Sequence, residues 1–329
     1  MKGLLFKALY IVFLVFVLTE LLIRSYLCIK KDIPFFIPAN KLYYYIYPCF
    51  KNLERSHFGA DDFNVLVLGG SAIQFVFNST SALFEEKLKG IYPNKKINIF
   101  NCAQSGHTSL DSLYKYQNAK KYPFDLVIYY HAINDVRANN IEDSFFKDDY
   151  SHYVYYKFVN NFYESKLMKN QPFLSPFFIQ KGLVMLDSVW IHPDRFTPKF
   201  DPNERLTHFG DKIKTAKPFE KNFRSVIDLA HAEGDRFLTM SFAYCKQRPE
   251  YSCPQKHLTK MWGEPENVEK GINVHNSIIR KVALDNPKIL FIDLEPLIPS
   301  SDEYYVDICH FTEKANRIFI ENIVQKIKE

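Results

Sequence analysis

The sequence has no block of massed positive charge. Its 42 Lys and Arg against 37 Asp and Glu leave a formal net charge of +5 scattered over 329 residues, which gives no electrostatic footprint for nucleic acid. It has no C-x-x-C pair: the six cysteines (Cys28, Cys49, Cys102, Cys245, Cys253 and Cys309) keep no zinc-ligand spacing with the ten histidines, so a structural metal site finds no support. Neither G-x-G-x-x-G nor a Walker lysine occurs, which argues against a nucleotide-phosphate loop. There is no internal repeat and no low-complexity run. With 47% hydrophobic residues the chain can bury a substantial core, and disorder is not the expectation. The 30 Phe and 21 Tyr are read as compositional bias before they are read as aromatic-lined clefts. Cys245 and Cys253 flank the polar stretch KQRPEYS and would close a small loop in an oxidising compartment.

What is present starts with GLLFKALYIVFLVFVLTELLI, residues 3–23, broken only by Lys7 and Glu20. As a helix this crosses a bilayer core, which needs ~20 residues, with the two charges snorkelling from its ends. No small-residue cleavage site follows, so residues 1–27 are expected to be an uncleaved, single-pass signal anchor. Lys2 and Lys7 precede the span while Arg24, Lys30 and Lys31 follow it, so the positive-inside rule does not orient it. The domain beyond is placed outside the cytoplasm because a short tail before one apolar segment is the usual arrangement of an exported, anchored domain. Residues 28–60, with Pro34, Pro38, Pro48 and the YYYIYP cluster, are expected to be a juxtamembrane linker.

From residue 61 the pattern changes to short apolar runs alternating with amphipathic stretches, the signature of a parallel sheet covered by helices. Strands are expected at 64–70, 96–103, 124–132, 236–243 and 288–294, and helices near 80–90, 109–120, 217–233, 267–285 and 312–327. Residues 140–215 break this rhythm and are taken as an insertion after the third strand, where it would shape specificity or act as a lid over the ligand crevice of an open α/β sheet, or else form a dimer contact or a membrane-proximal ledge.

Ser71 follows a predicted strand in VLVLGGSAIQF, where two glycines permit a tight turn that presents its hydroxyl and amide at the strand edge. The G-x-S-x-G elbow fails at Ile73, and alone the motif is more often a plain turn. Asp307 and His310 stand three apart in YYVDICHFTEKAN, close enough for the carboxylate to hold one imidazole nitrogen and leave the other for a serine. The structural alternative is that Asp307 caps the last helix. Gly106, in NCAQSGHTS, and Asn134, in YYHAINDV, can supply a backbone and a side-chain donor to an oxyanion, or be a turn glycine and a helix cap. His107 and His131 adjoin these donors, within reach of a substrate, but a polar histidine at a strand end is more often just solvated. Cys309 reads as packing, and Asn78-Ser79-Thr80 matches a glycosylation triplet that matters only in a glycosylating host.

Taken in order, Ser71, Gly106, Asn134 and Asp307-x-x-His310, each at the end of a successive predicted strand or before the last helix, resemble the SGNH (GDSL-like) hydrolase family. The resemblance runs from about residue 62 to 325 outside the insertion and includes GINVHNSIIRKVA at 271–283. It implies a flavodoxin-like three-layer α/β/α sandwich without metal or organic cofactor. It also implies Ser71 as nucleophile, His310 as base, Asp307 as its orienter, and an oxyanion hole made of the Ser71 and Gly106 amides and the Asn134 side chain. Two positions depart from the family pattern. Gly-Asp-Ser reads Gly69-Gly70-Ser71, and Gly-x-Asn-Asp reads Ala132-Ile133-Asn134-Asp135, which would put a methyl beside the oxyanion hole and favour small acyl groups. The implied activity is hydrolysis of an ester, with a cell-envelope glycan or lipid as substrate. Acyl transfer to a sugar hydroxyl by the same residues, or a non-catalytic carbohydrate-binding scaffold, are the alternatives, and the oligomeric state is open.

Overall fold

The predicted apolar runs become five strands: β1 (Asp62–Gly69), β2 (Lys96–Asn101), β3 (Leu126–Tyr130), β4 (Arg236–Met240) and β5 (Leu290–Ile292). The computed structural model describes residues 2–165, 172–196, 212–246 and 265–329. All neighbouring strands run parallel in the order β2-β1-β3-β4-β5. Every residue of β3, LVIYY, is buried, the continuous apolar reading expected of a strand covered on both faces. Helices Ser71–Ile91 and Glu313–Lys328 pack together, as do Ser109–Ala119, Ala216–Glu233 and Pro265–Asp285. The strand order reverses between β1 and β3, and in such sheets the crevice at the strand C-termini is the ligand site.

Helix boundaries follow local chemistry. The helix expected near 80–90 starts nine residues earlier, at Ser71, because nothing between Gly70 and Asn78 breaks it. Thr108 and Asp111 form a reciprocal capping box on Ser109–Ala119, satisfying amides that the first helical turn leaves open. Thr312, not Asp307, caps the last helix through Ala315 N.

By contact the chain divides into two units, Arg55–Tyr150 with Thr197–Glu329, which holds the sheet, and Met1–Glu54 with Ser151–Phe196. The second is helical. Its N-terminal helix, Lys2–Lys31, contains the apolar stretch, whose mean hydropathy of 2.3 and 6% burial make it long and apolar enough to cross a membrane. Residues 28–60, expected as a linker, instead carry helices Tyr43–Ile46 and Cys49–Arg55, and Tyr47, Phe50 and Leu53 are wholly buried. Among the described residues of the expected insertion, the helices Val154–Glu164 and Ser175–Leu186 belong to this unit and not to the one that holds the sheet. Glu20 does not snorkel: it is buried, pairs with Arg24 Nε at 2.7 Å, and accepts the amides of Leu174 (2.9 Å) and Ser175 (2.8 Å). It thereby supplies the N-terminal cap that the Ser175–Leu186 helix lacks in its own sequence.

Candidate active site

Ser71 is the first residue of its helix, directly after Gly70, whose backbone is extended (φ −91°, ψ −162°). Two glycines make the turn possible by close approach. A Cβ on Gly69 would lie 2.7 Å from Tyr130 O at the end of β3, and one on Gly70 would lie 2.3 Å from Asn134 Nδ2. Absence of side chains there brings the ends of β1 and β3 together, and with them Ser71 and Asn134. A side chain at position 70 would therefore collide with the Asn134 amide.

Asp307 and His310 sit on a tight loop between Tyr305 and Phe311, which bridge each other. Val306 N donates to His310 O at 2.8 Å and Thr312 N to Tyr304 O at 2.9 Å, closing the loop. Its outer side is held by Cys245 N, which donates to Ile308 O at 2.9 Å. Cys245 is disulfide-bonded, and Cys253 lies outside the described residues. Inside the loop Asp307 Oδ1 accepts the Cys309 and His310 amides, both at 2.9 Å. Its Oδ2 accepts His310 Nδ1–H at 2.6 Å, and Ser71 Oγ donates to His310 Nε2 at 2.8 Å. The tautomer with hydrogen on Nδ1 satisfies both contacts. Burial raises the Asp307 carboxyl, but the hydrogen bond from His310 and the two amides outweigh it and hold it below its usual value. The carboxylate therefore stays ionised and orients the imidazole as a proton acceptor. Asp307, Cys309 and His310 could also be read as metal ligands by proximity. Burial, with the neighbouring Asp307 charge, raises the Cys309 thiol well above its ordinary pKa, and a thiol is a poor ligand.

The donors lie on the adjoining strand ends. Asn134 Nδ2 gives one hydrogen to His107 O at 2.9 Å, leaving the other for a ligand. Gly106, between β2 and the next helix, is exposed and has φ +77°, a left-handed conformation that costs a residue with Cβ about 1–2 kcal/mol. The loop carrying it is stitched to neighbours by Gln104 N to Gly69 O (3.1 Å) and Ser105 Oγ to Gln74 Oε1 (2.9 Å). Ser71, Gly106 and Asn134 thus follow the C-terminal ends of the neighbouring strands β1, β2 and β3, with the Ser71 amide unclaimed by its helix as any first-turn amide is.

His107 and His131 are not solvated: both are buried, and His131 Nε2 meets Ser112 Oγ at 2.6 Å. Burial, helped by Lys115, lowers the His131 pKa to about 3 and that of His107 well below normal. Both are structural supports below the donors. Asp135 is likewise interior, accepting Ser109 Oγ (2.5 Å), Ser109 N (3.0 Å) and Tyr150 Oη (2.9 Å), and burial raises it to about 7. Ala132 is 1% exposed and packs in the core, so its methyl does not narrow an open acyl site as expected. Its carbonyl meets His275 Nδ1 at 3.3 Å.

Two residues escaped the sequence reading. Phe75, 47% exposed, sets its ring 5.0 Å from that of His310; it lies one turn after Ser71, and that i,i+4 spacing was the available signal. His275, which braces the backbone before Asn134, carried none, because its partners Thr215 and Ala132 are remote in sequence.

No family model matches the chain, and no curated protein matches it in sequence. Solved structures do resemble it. A GDSL-like lipase from Bacteroides thetaiotaomicron superposes with a TM-score of 0.50 at 14% identity, over 88% of this chain and 98% of that one. An acetylxylan esterase from Geobacillus stearothermophilus gives 0.47 at 14% identity over 82% and 97%. With its parallel 2-1-3-4-5 sheet between helices, the chain has the SGNH hydrolase fold of that GDSL-like lipase.

Proposed function

We propose that the chain is a serine esterase, held to a membrane by its N-terminal helix with the sheet unit on the extracytoplasmic side, that removes an acyl group from a cell-envelope glycan or lipid. The observation that carries the chemistry is the unbroken path from Ser71 Oγ through His310 to Asp307, at 2.8 and 2.6 Å, beside the Asn134 amide. Ser71 Oγ attacks the ester carbonyl carbon as its proton passes to His310 Nε2, and the oxyanion is met by the Ser71 and Gly106 amides and Asn134 Nδ2. The imidazolium then protonates the departing alkoxide, leaving an acyl-Ser71. Water, deprotonated by His310, attacks that acyl group, and Ser71 recovers its proton as the acid leaves. Asp307 stays ionised throughout. Phe75 offers the reacting ester an apolar wall next to His310, and the apolar N-terminal helix is what favours an envelope substrate.

The test is hydrolysis of nitrophenyl esters of graded chain length by the full chain in detergent, beside Ser71→Ala. We expect turnover by the parent and a loss of about 10⁴-fold or more in the variant. Equal turnover by both would reject Ser71 as nucleophile. Serine-dependent acyl loss that needs an added sugar acceptor would turn the reading from hydrolase to acyltransferase.

A further inference from the structure

We propose that the helix Ser175–Leu186 and the turn Asp187–Ile191 after it lie in the membrane interface and take lipid against Ile179, Leu183, Leu186 and Trp190. The proposal rests on the reading that the N-terminal helix spans the membrane.

The sequence SPFFIQKGLVML is apolar nearly all round, a composition found in protein interiors or in membranes. Only one side of this helix is interior. Phe177 is buried against the rings of Phe158 and Phe162, at 5.9 and 5.8 Å, and Val184 follows it on the same side. On the other side Ile179, Leu183 and Leu186 are 53%, 60% and 48% exposed, and Trp190 is 78% exposed. Their spacing of four, three and four residues makes one stripe. Val189 and Ile191, also exposed, widen it beyond what a water-facing surface ordinarily carries.

The stripe is also uncharged. Lys181 is the only charged residue from Pro172 to Leu186, and it turns inward. Its Nζ donates to Tyr45 Oη at 2.6 Å and sits 4.9 Å from the Tyr45 ring centroid. The next charge, Asp187, is paired with His192 at 2.8 Å.

Continuity with the N-terminal helix identifies lipid as the occupant. Phe173 meets Phe16 with ring centroids 5.0 Å apart, Glu20 caps the helix start, and Arg24 donates to Pro172 O at 2.9 Å. The second helix therefore starts beside residues 16–24, where the apolar stretch gives way to Arg24, Lys30 and Lys31. There Leu18 and Leu22 are 58% and 70% exposed. One apolar phase covering the first surface reaches the second. At 12 residues, or roughly 18 Å, the second helix is too short to cross and instead lies in the plane of the interface. Tryptophan suits that depth, one end apolar and the other wet.

The chain has two tryptophans, so Trp262→Phe makes Trp190 the sole reporter in full-length protein reconstituted into phosphatidylcholine vesicles. Lipids brominated near the headgroup are expected to quench Trp190 more strongly than lipids brominated at the chain end, with weak quenching by aqueous iodide. Leu183→Glu is expected to reduce the bromolipid quenching and raise that by iodide. Flotation of the same vesicles reads the anchor separately. Protein that floats while Trp190 stays open to iodide and blind to bromine overturns the interfacial helix and leaves the anchor standing. Protein that does not float removes both. Shielding from both quenchers that disappears on dilution with excess lipid would mean a second copy covers the stripe, which also overturns the proposal.

Discussion

The two units treat polarity in opposite ways. The sheet unit carries polar groups inside: Asp111, Ser112, Lys115, His131, Asp135 and His275 are all buried near strand ends. The helical unit carries apolar groups outside, from Leu4 to Leu22 and again from Ile179 to Ile191. Burying a polar group costs free energy unless it is hydrogen-bonded, and the described interior groups are tied to named partners in the loops that carry Gly106 and Asn134. Exposed apolar groups have no such internal remedy, and only the medium can relieve them. Interior polarity therefore marks where geometry is being fixed, and exterior apolarity marks, on the reading proposed above, where lipid replaces water.

The sharpest test of the first half of that contrast is Asp307→Asn. Its amide presents a hydrogen where the carboxylate accepts one from His310 Nδ1, so the ring favours the wrong tautomer, and kcat should fall by about 10⁴-fold. Unchanged pre-steady-state acylation would refute that role. Asn134→Ala should cost about 10²–10³-fold, mostly in kcat. Gly70→Ala tests the same amide from the other side, since its Cβ would collide with Asn134 Nδ2. If that collision is how it acts, the double variant is little worse than Asn134→Ala alone; additive losses would separate the two residues.

Those residues were legible because each is a polar or glycine residue following an apolar run, and the order Ser71, Gly106, Asn134, Asp307, His310 survives in one dimension. The strands were legible for the same reason, with β3 the clearest. Residues 28–60 were not. Their prolines and tyrosines look like a linker, yet Tyr47 meets Tyr163 at 6.4 Å and Tyr45 meets Phe178 at 5.3 Å, each more than a hundred residues away. Glu20 misled for a related reason: in sequence it is a charge near the end of a span, and only tertiary structure supplies the amides of Leu174 and Ser175. Long-range satisfaction of a polar group leaves no periodicity to read.

Glu20→Ala probes the helical unit on the same terms. It leaves two buried amides and the Arg24 guanidinium short of an acceptor, at a cost of about 1–3 kcal/mol. The expected sign is faster proteolytic cleavage within 172–196 in the detergent-solubilised protein, while Glu20→Gln, which keeps an acceptor oxygen, shows a smaller change. Equal cleavage rates in parent and alanine variant would remove Glu20 as the cap.

The smallest effect expected is a change of slope. His275 is fully buried, its ring stacked on Phe219 with centroids 4.2 Å apart and its nitrogens facing Thr215 Oγ1 and Ala132 O. Burial lowers its pKa from 6.5 to about 3 despite the Ala132 carbonyl, and His131 falls to about 3 as well. Between those values the unfolded chain holds protons that the folded chain lacks, so stability present above pH 6.5 is lost as pH falls. Asp135, raised from 3.8 to about 7, and Asp235, raised to about 6, act in the opposite sense: the folded chain keeps their protons and loses stability as pH rises. With His107 also depressed, the histidines outnumber the carboxyls, and unfolding free energy should rise with pH between about 4 and 6. His275→Gln, whose amide can still donate to Ala132 O, removes one histidine from that balance. The slope of urea-unfolding free energy against pH should then flatten by about 1.4 kcal/mol per pH unit. An unaltered slope would mean that His275 is already protonated in the folded chain, and that the carbonyl before Asn134 is held by a charge instead of a neutral ring.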